Sequence, residues 1–205
     1  MVKNSNTTEI VEKEHHPNWY FPIPDMRTLV LGTFPPHKKR WNFEFYYPNN
    51  MNRFWKALSA VENGCLTEQS GPPAVEERKR LMQYLRVGVQ NLGKIITRKN
   101  QSALDKHISI LEFQDIQSII LGHPLLERIF LPGYSGNTST YRSFIRYLKL
   151  KRIAHSVPEQ ITAGMEFTIQ CGRPILCIIG NSTSLAARSV RFEDLVNQFK
   201  NAIVR

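Results

Sequence analysis

Cysteine is scarce in this chain of 205 residues, where Cys65, Cys171 and Cys177 are the whole complement. Three thiols with no C-x-x-C pair make no disulfide framework, and they fall short of the ligand set of an iron–sulfur cluster. Cys177 lies in the apolar run Ile175-Leu176-Cys177-Ile178-Ile179, where a buried, inert thiol is expected. Long apolar runs are lacking too. Nothing approaches the ~18 consecutive apolar residues of a membrane span. Residues 1–14 are polar with no apolar export core, so an intracellular protein with no membrane association is expected. Internal repeats, low-complexity tracts, a G-x-G-x-x-G turn and a P-loop are all missing, which disfavours a nucleotide-dependent small-molecule enzyme. His15 and His16 are adjacent and so do not converge on one ion. No metal and no cofactor is expected.

Acidic residues are the minority. Lys and Arg total 27 against 17 Asp and Glu, a formal charge of +10. Such a surplus favours a polyanion as partner, because neutralising phosphates releases condensed counterions. Hydrophobic residues at 41% and charged residues at 21% fit an ordinary globular chain. Residues 1–18 read as a flexible polar arm and 19–205 as a single domain.

Short apolar runs recur at Thr28–Gly32, Val87–Val89, Arg128–Leu131 and Pro174–Ile179, the pattern of strands buried on both faces. Helical spacing separates them: Phe54 to Val61, Ala74 to Leu85 with Glu76 and Glu77 in its first turn, and Ile116, Ile119 and Ile120. A further stripe, Tyr141, Phe144, Ile145 and Leu148, follows a cap at Asn137. The last helix carries Phe192, Leu195, Val196, Phe199 and Ile203. The alternation predicts an α/β fold, a three-layer α/β/α sandwich with a central, mostly parallel sheet of about four strands. Ligands bind at the carboxyl ends of such strands. The segments Gly32-Thr33-Phe34-Pro35-Pro36 and Gly180-Asn181-Ser182-Thr183-Ser184 leave two of those ends.

Leu29-Val30-Leu31-Gly32-Thr33-Phe34-Pro35-Pro36, then Tyr46-Tyr47, then Asn52-Arg53-Phe54-Trp55-Lys56, resembles the first signature of the uracil-DNA glycosylase superfamily. It is most similar to the branch of mismatch-specific uracil and hypoxanthine-DNA glycosylases, and His16-Pro17 and Pro22-Ile23-Pro24 fit that branch's approach segment. Asn181-Ser182-Thr183-Ser184-Leu185-Ala186-Ala187-Arg188 resembles the second signature, and Arg98 with Ser102-Ala103-Leu104-Asp105-Lys106 a middle segment. There are departures. Val89-Gln90-Asn91-Leu92-Gly93 carries no carboxylate where the branch has an Asp. Asn181 and Leu185 replace prolines, and Gly180 stands where some branches keep His or Asn. Phe34 stands where other branches have Asp or Asn.

The resemblance implies a monofunctional glycosylase that flips a deaminated base, uracil or hypoxanthine, from DNA and hydrolyses its N-glycosidic bond; a monomer is expected, because such a pocket needs only one chain. No lysine in a motif position suggests Schiff-base chemistry. By the same resemblance Asn52 is the catalytic residue, orienting water or a base edge, although Asn before Arg-Phe-Trp is also a good helix cap. Gly32, Thr33, Phe34 and Tyr47 would form the base pocket, Tyr47 by stacking or else as a core aromatic. Tyr46, Phe54 and Trp55 are expected to be scaffold. Ser182, Thr183 and Ser184 would donate to DNA phosphates, or merely form a strand–helix turn. Leu185 would wedge into the base stack. Lys38, Lys39, Arg40 and Arg188 would meet the DNA backbone, or form a solvated face. The basic residues of the fourth helix, Arg142, Arg146, Lys149, Lys151 and Arg152, extend that surface. The departures keep a second reading open, a catalytically impaired, damage-sensing relative.

Overall fold

The computed structural model describes residues 11–102, 107–158 and 160–203. Residues 103–106, part of the middle segment, and residues 1–10 of the polar arm lie outside the described residues. The central sheet has six strands in the order β3-β2-β6-β9-β8-β7. Four are parallel: β2 (Thr28–Gly32), β3 (Val87–Asn91), β6 (Arg128–Pro132) and β9 (Pro174–Gly180). Every residue of β2 and β3 is buried, as strands covered on both faces must be. The antiparallel β8 (Glu166–Gln170) and β7 (Ala154–His155) extend the edge beyond β9, so the expected count of about four covers only the parallel part. β7 has two residues and β8 alternates exposed with buried, too short and too polar a pattern to stand out.

A second, antiparallel sheet joins β1 (Val11–His15), β4 (Gly93–Lys99) and β5 (Ile108–Phe113). This corrects the arm. Residues 11–15 of it are a strand, held because Arg98 is fully buried and grips Glu14 through two bonds of 2.6 and 3.2 Å.

The helices are α1 (Phe54–Ala60), α2 (Gly71–Leu85), α3 (Ile116–Gly122), α4 (Thr140–Leu150) and α5 (Phe192–Ala202). Phe199 of α5 packs edge-on against Phe54 of α1 and Phe130 of β6, which pins both helices to one face of the sheet. Tyr147 of α4 accepts from the Gln117 amide of α3, so those two lie together. Parallel strands are joined by right-handed crossovers, and β2 to β3 runs opposite to β3 to β6, so the two helix groups cover opposite faces. Two helix starts differ from expectation. α2 begins at Gly71 with prolines at its head, which moves Glu76 and Glu77 out of the first turn. There Glu77 instead accepts from the Thr67 and Glu68 amides of the preceding loop. Ser139, not Asn137, caps α4 by accepting from the Arg142 amide.

Candidate functional site

The parallel strands end on one cleft of about 360 Å³. Gly32, Asn91 and Pro132 close β2, β3 and β6 on its floor, and residues 182–186, just after β9, form a wall. From β2 the chain adds β3 on one side and then crosses back to add β6 on the other, which makes this the switch point where α/β sheets open a crevice.

The first loop is fixed from beneath. Leu92 and Gly93 donate their amides to the carbonyls of Gly32 and Thr33, and Arg98 donates to the Pro35 carbonyl at 2.7 Å. Phe34 lines the cleft with its ring edge-on to His16 at 5.5 Å. A side chain at Gly93 would meet the Phe34 ring at 3.0 Å, so glycine there lets the phenyl settle. Thr33 is buried, and its hydroxyl lies 3.3 Å from that of Thr140 at the head of α4.

Tyr46 and Tyr47 part company because Tyr47 has φ +48, a left-handed turn uncommon for an aromatic residue. Tyr46 drops into the core, its hydroxyl on Gln90 and its carbonyl on the Trp55 indole. Tyr47 lines the cleft and stacks on Phe54, ring centroids 3.8 Å apart and 10° from parallel. The two readings of Tyr47 are thus not exclusive, since one face of its ring is packed and the residue still borders the opening.

Asn52 is also on the cleft, where its Oδ1 accepts from the Phe54 amide at 2.9 Å. This is a turn contact ahead of α1, whose N-cap is Arg53 and not the expected Asn52. The Nδ2 donor has no hydrogen-bond partner among the described residues. Beside it, Arg53 joins the two signatures. Its guanidinium donates to the carbonyls of Val190 (2.6 Å), Ser184 and Ala187 (both 3.1 Å) and Thr183 (3.4 Å), and its amide donates to Thr183 as well. One residue therefore draws the 183–190 loop against the start of α1.

Within that loop Ser182 Oγ accepts from the Ser184 amide and Ser184 Oγ from the Ala186 amide. Those are turn-forming bonds, and they leave each hydroxyl hydrogen free to donate outward. Thr183 lines the cleft but is only 3% exposed, and Leu185 stands 46% exposed at its rim. Gly180 faces the other way: a side chain on it would strike the Phe130 ring at 2.3 Å. A His or Asn at that position would enter the core.

Of the expected basic contacts, Arg40 borders the cleft. Lys38 and Lys39 do not. They line a neighbouring groove with Trp41 and Phe43, where Lys39 bonds Gln101 at 2.7 Å. Arg188 is exposed but does not line the cleft. No carboxylate is among the cleft-lining residues. Among the described residues no group of three or more His, Cys, Asp or Glu is placed to hold a metal ion.

Two residues that shape the site carry no signal of their own in the motifs: Arg53, which braces the wall, and Asn91, on the cleft floor. Arg53 was hidden as the variable position inside Asn-x-Phe-Trp. Asn91 was read only for the carboxylate it is not, although an amide at the carboxyl end of a parallel strand is itself a signal. Asn91 is 4% exposed, and its Nδ2 lies 2.9 Å from His16 Nε2. Burial lowers the His16 pKa to about 4, against a smaller opposing effect of its bond to the Pro17 carbonyl.

No family model matches the chain, and no curated protein matches it. Among solved structures, the solution NMR structure of a "putative Uracil DNA glycosylase" from Methanosarcina acetivorans is similar, with a TM-score of 0.56 and 15% identity. The match covers 94% of this chain and 99% of that one, so the likeness spans the fold from end to end. At that identity it shows a shared architecture: a mixed α/β fold of the uracil-DNA glycosylase kind.

Proposed function

We propose that this protein is a monofunctional DNA glycosylase that extrudes a deaminated base, uracil or hypoxanthine, and hydrolyses its N-glycosidic bond, leaving an abasic site. The observation that carries the reading is the convergence of Asn52, Tyr47, the 32–36 loop and the 182–186 loop on one cleft at the strand ends. Two stretches far apart in sequence, 32–52 and 182–186, bring together side chains that suit one flipped nucleobase.

Cleavage lengthens the C1′–N bond toward an oxocarbenium-like sugar while the bonding pair moves onto the base. Water then adds at C1′, losing its proton to solvent, and the departing base takes up a proton. Asn52 offers a free Nδ2 donor to hold that water or the base edge, and its Oδ1, fixed on Phe54, sets the amide's orientation. Tyr47 supplies a ring backed by Phe54, so stacking on it costs little further ordering. Ser182 and Ser184 have hydroxyl hydrogens to spend on phosphate oxygens, and Arg40 adds positive charge at the rim. Leu185 at the rim would fill the gap in the base stack. Lys38, Lys39 and Arg188 would act on flanking backbone, outside the cleft.

The test is a strand-break assay on duplexes bearing uracil, hypoxanthine or xanthine, treated with alkali after incubation. Breaks that disappear in Asn52→Ala support the enzyme. A second reading, a damage-sensing relative, is favoured by the cleft's lack of any carboxylate. Tight, salt-sensitive binding without breaks would establish it.

A further inference from the structure

The groove beside the cleft is built as a platform for a flat ligand. It encloses about 680 Å³ and is bordered by Lys38, Lys39, Trp41, Phe43 and Val75, among others. Trp41 is pinned in place. Its indole Nε1 donates to the Pro36 carbonyl at 2.7 Å, and the Trp19 ring packs against it with centroids 4.8 Å apart. Even so, Trp41 is only half-buried and borders the groove. Phe43 is fixed as well, buried with the Arg78 guanidinium 4.0 Å from its ring centre. Aromatic rings already held in one orientation receive a flat ligand with little further ordering.

The charges of the groove come from different segments. Lys38 and Lys39 belong to the short turn Lys38–Arg40, in which no residue is buried. Lys39 bonds Gln101, whereas the Lys38 ammonium has no partner among the described residues. Two carboxylates, Glu44 and Glu76, border the groove from elsewhere, and Glu76 is held by Lys79 at 2.8 Å. Glu44 is exposed and has no partner among the described residues. An ionised carboxylate only accepts, so it repels phosphate and suits the amino group of a base edge. A nucleotide therefore fits in one sense, with its phosphate toward residues 38–40 and its base inward. Arg40, next in the chain to Lys39, borders the cleft, and so does Pro36, which anchors Trp41. The two openings share a rim.

We propose that this groove is a second nucleotide site, where Trp41 stacks an unpaired base flanking the extruded one and the Lys38–Arg40 turn carries the phosphates between them. Only an unpaired base suits it, because in a duplex both faces of a base are covered by its neighbours. The protein thereby engages single-stranded or locally opened DNA beyond the damaged nucleotide. That the neighbouring nucleotide is an extruded one rests on the glycosylase reading above. The stacking of an unpaired base on Trp41 does not.

Trp19 and Trp55 are buried, so quenching of tryptophan fluorescence by bound DNA reports Trp41. The full chain is titrated with an undamaged single-stranded oligodeoxynucleotide and with the same sequence as a duplex. The single strand should quench strongly and the duplex weakly. By anisotropy, Trp41→Phe, which keeps a ring, should bind the single strand nearly as well as the wild type, and Trp41→Ala roughly tenfold more weakly. Alanine also removes the bond that pins the Pro36 turn, so Lys38→Ala supplies an independent reading. It should lower the slope of log affinity against log salt by about 0.7 for the single strand, and by less for the duplex. Equal quenching by both DNAs, no quenching by either, full single-strand affinity in Trp41→Ala, or equal slope changes in Lys38→Ala overturns the inference. Absence of strand breaks from the wild type would sink the glycosylase reading and leave the fluorescence arm to decide this one.

Discussion

Replacing Arg53 by methionine keeps an unbranched aliphatic stem and deletes the guanidinium that grips the 183–190 loop. Three of its side-chain bonds are 3.1 Å or shorter, to the carbonyls of Val190, Ser184 and Ala187. A hydrogen bond to a charged group contributes about 1.5–3 kcal/mol net. Bonds from one group are not additive, and water can reach carbonyls of a surface loop once the arginine is gone. A total near 3 kcal/mol is therefore expected rather than the sum. For a chain of this size each 1 kcal/mol shifts the melting temperature by roughly 2–4 °C, so the variant should melt roughly 6–12 °C lower. The loss is also local. Amide exchange should speed up across 183–190 first, and DNA affinity should drop as the cleft wall loosens. Thermal unfolding and hydrogen-exchange mass spectrometry read the two effects separately. A drop below about 1 kcal/mol, or faster exchange spread evenly over the sheet, would refute the view that this side chain builds the wall.

Asn52→Ala should abolish strand breaks, and loss of the turn bond to the Phe54 amide should cost only ~1 kcal/mol, measured by denaturant titration. Tyr47→Ala should weaken binding to a base-bearing duplex by ~1–3 kcal/mol relative to an abasic one, measured by fluorescence anisotropy. Gly180→Ala should destabilise by about 1–3 kcal/mol through overpacking against Phe130, with the cleft unchanged, as a melting curve and a binding curve together would show. The His16 pKa falls from 6.5 to about 4 on folding. Its neutral form is thus favoured in the native state, and the stability this confers is complete above pH 6.5. As pH drops from 6.5 toward 4 the unfolded chain takes a proton that the native one refuses, so stability declines by roughly 3 kcal/mol. Urea midpoints across that window should flatten in His16→Phe.

The parallel core was legible because each of its strands is an apolar run ending near a special residue. Thr28–Gly32 is recovered residue for residue, and the site loops could be located from the rule that such sheets bind ligands at their carboxyl ends. The antiparallel additions were not. Val11–His15 holds a single apolar residue, Val11, followed by charged and polar ones, and reads as an arm until Arg98, 84 residues from Glu14, supplies its partner. Helix starts moved for a local reason, since prolines at positions 72 and 73 can head a helix and Ser139 caps better placed than Asn137. Within the site, Asn52 and Tyr47 were visible through their motif. Arg53 and Asn91 were not, because each acts through a contact across a long stretch of chain, 130 and 75 residues respectively.

The Arg53 clamp holds only main-chain oxygens. Every amino acid possesses one, so the identities of residues 183, 184, 187 and 190 can drift without loosening the grip. Anchorage and recognition are thereby decoupled in the same short segment. Mutation is free to try new side chains against the ligand while the strap that carries them stays in place, a division of labour that lets substrate preference change faster than the fold.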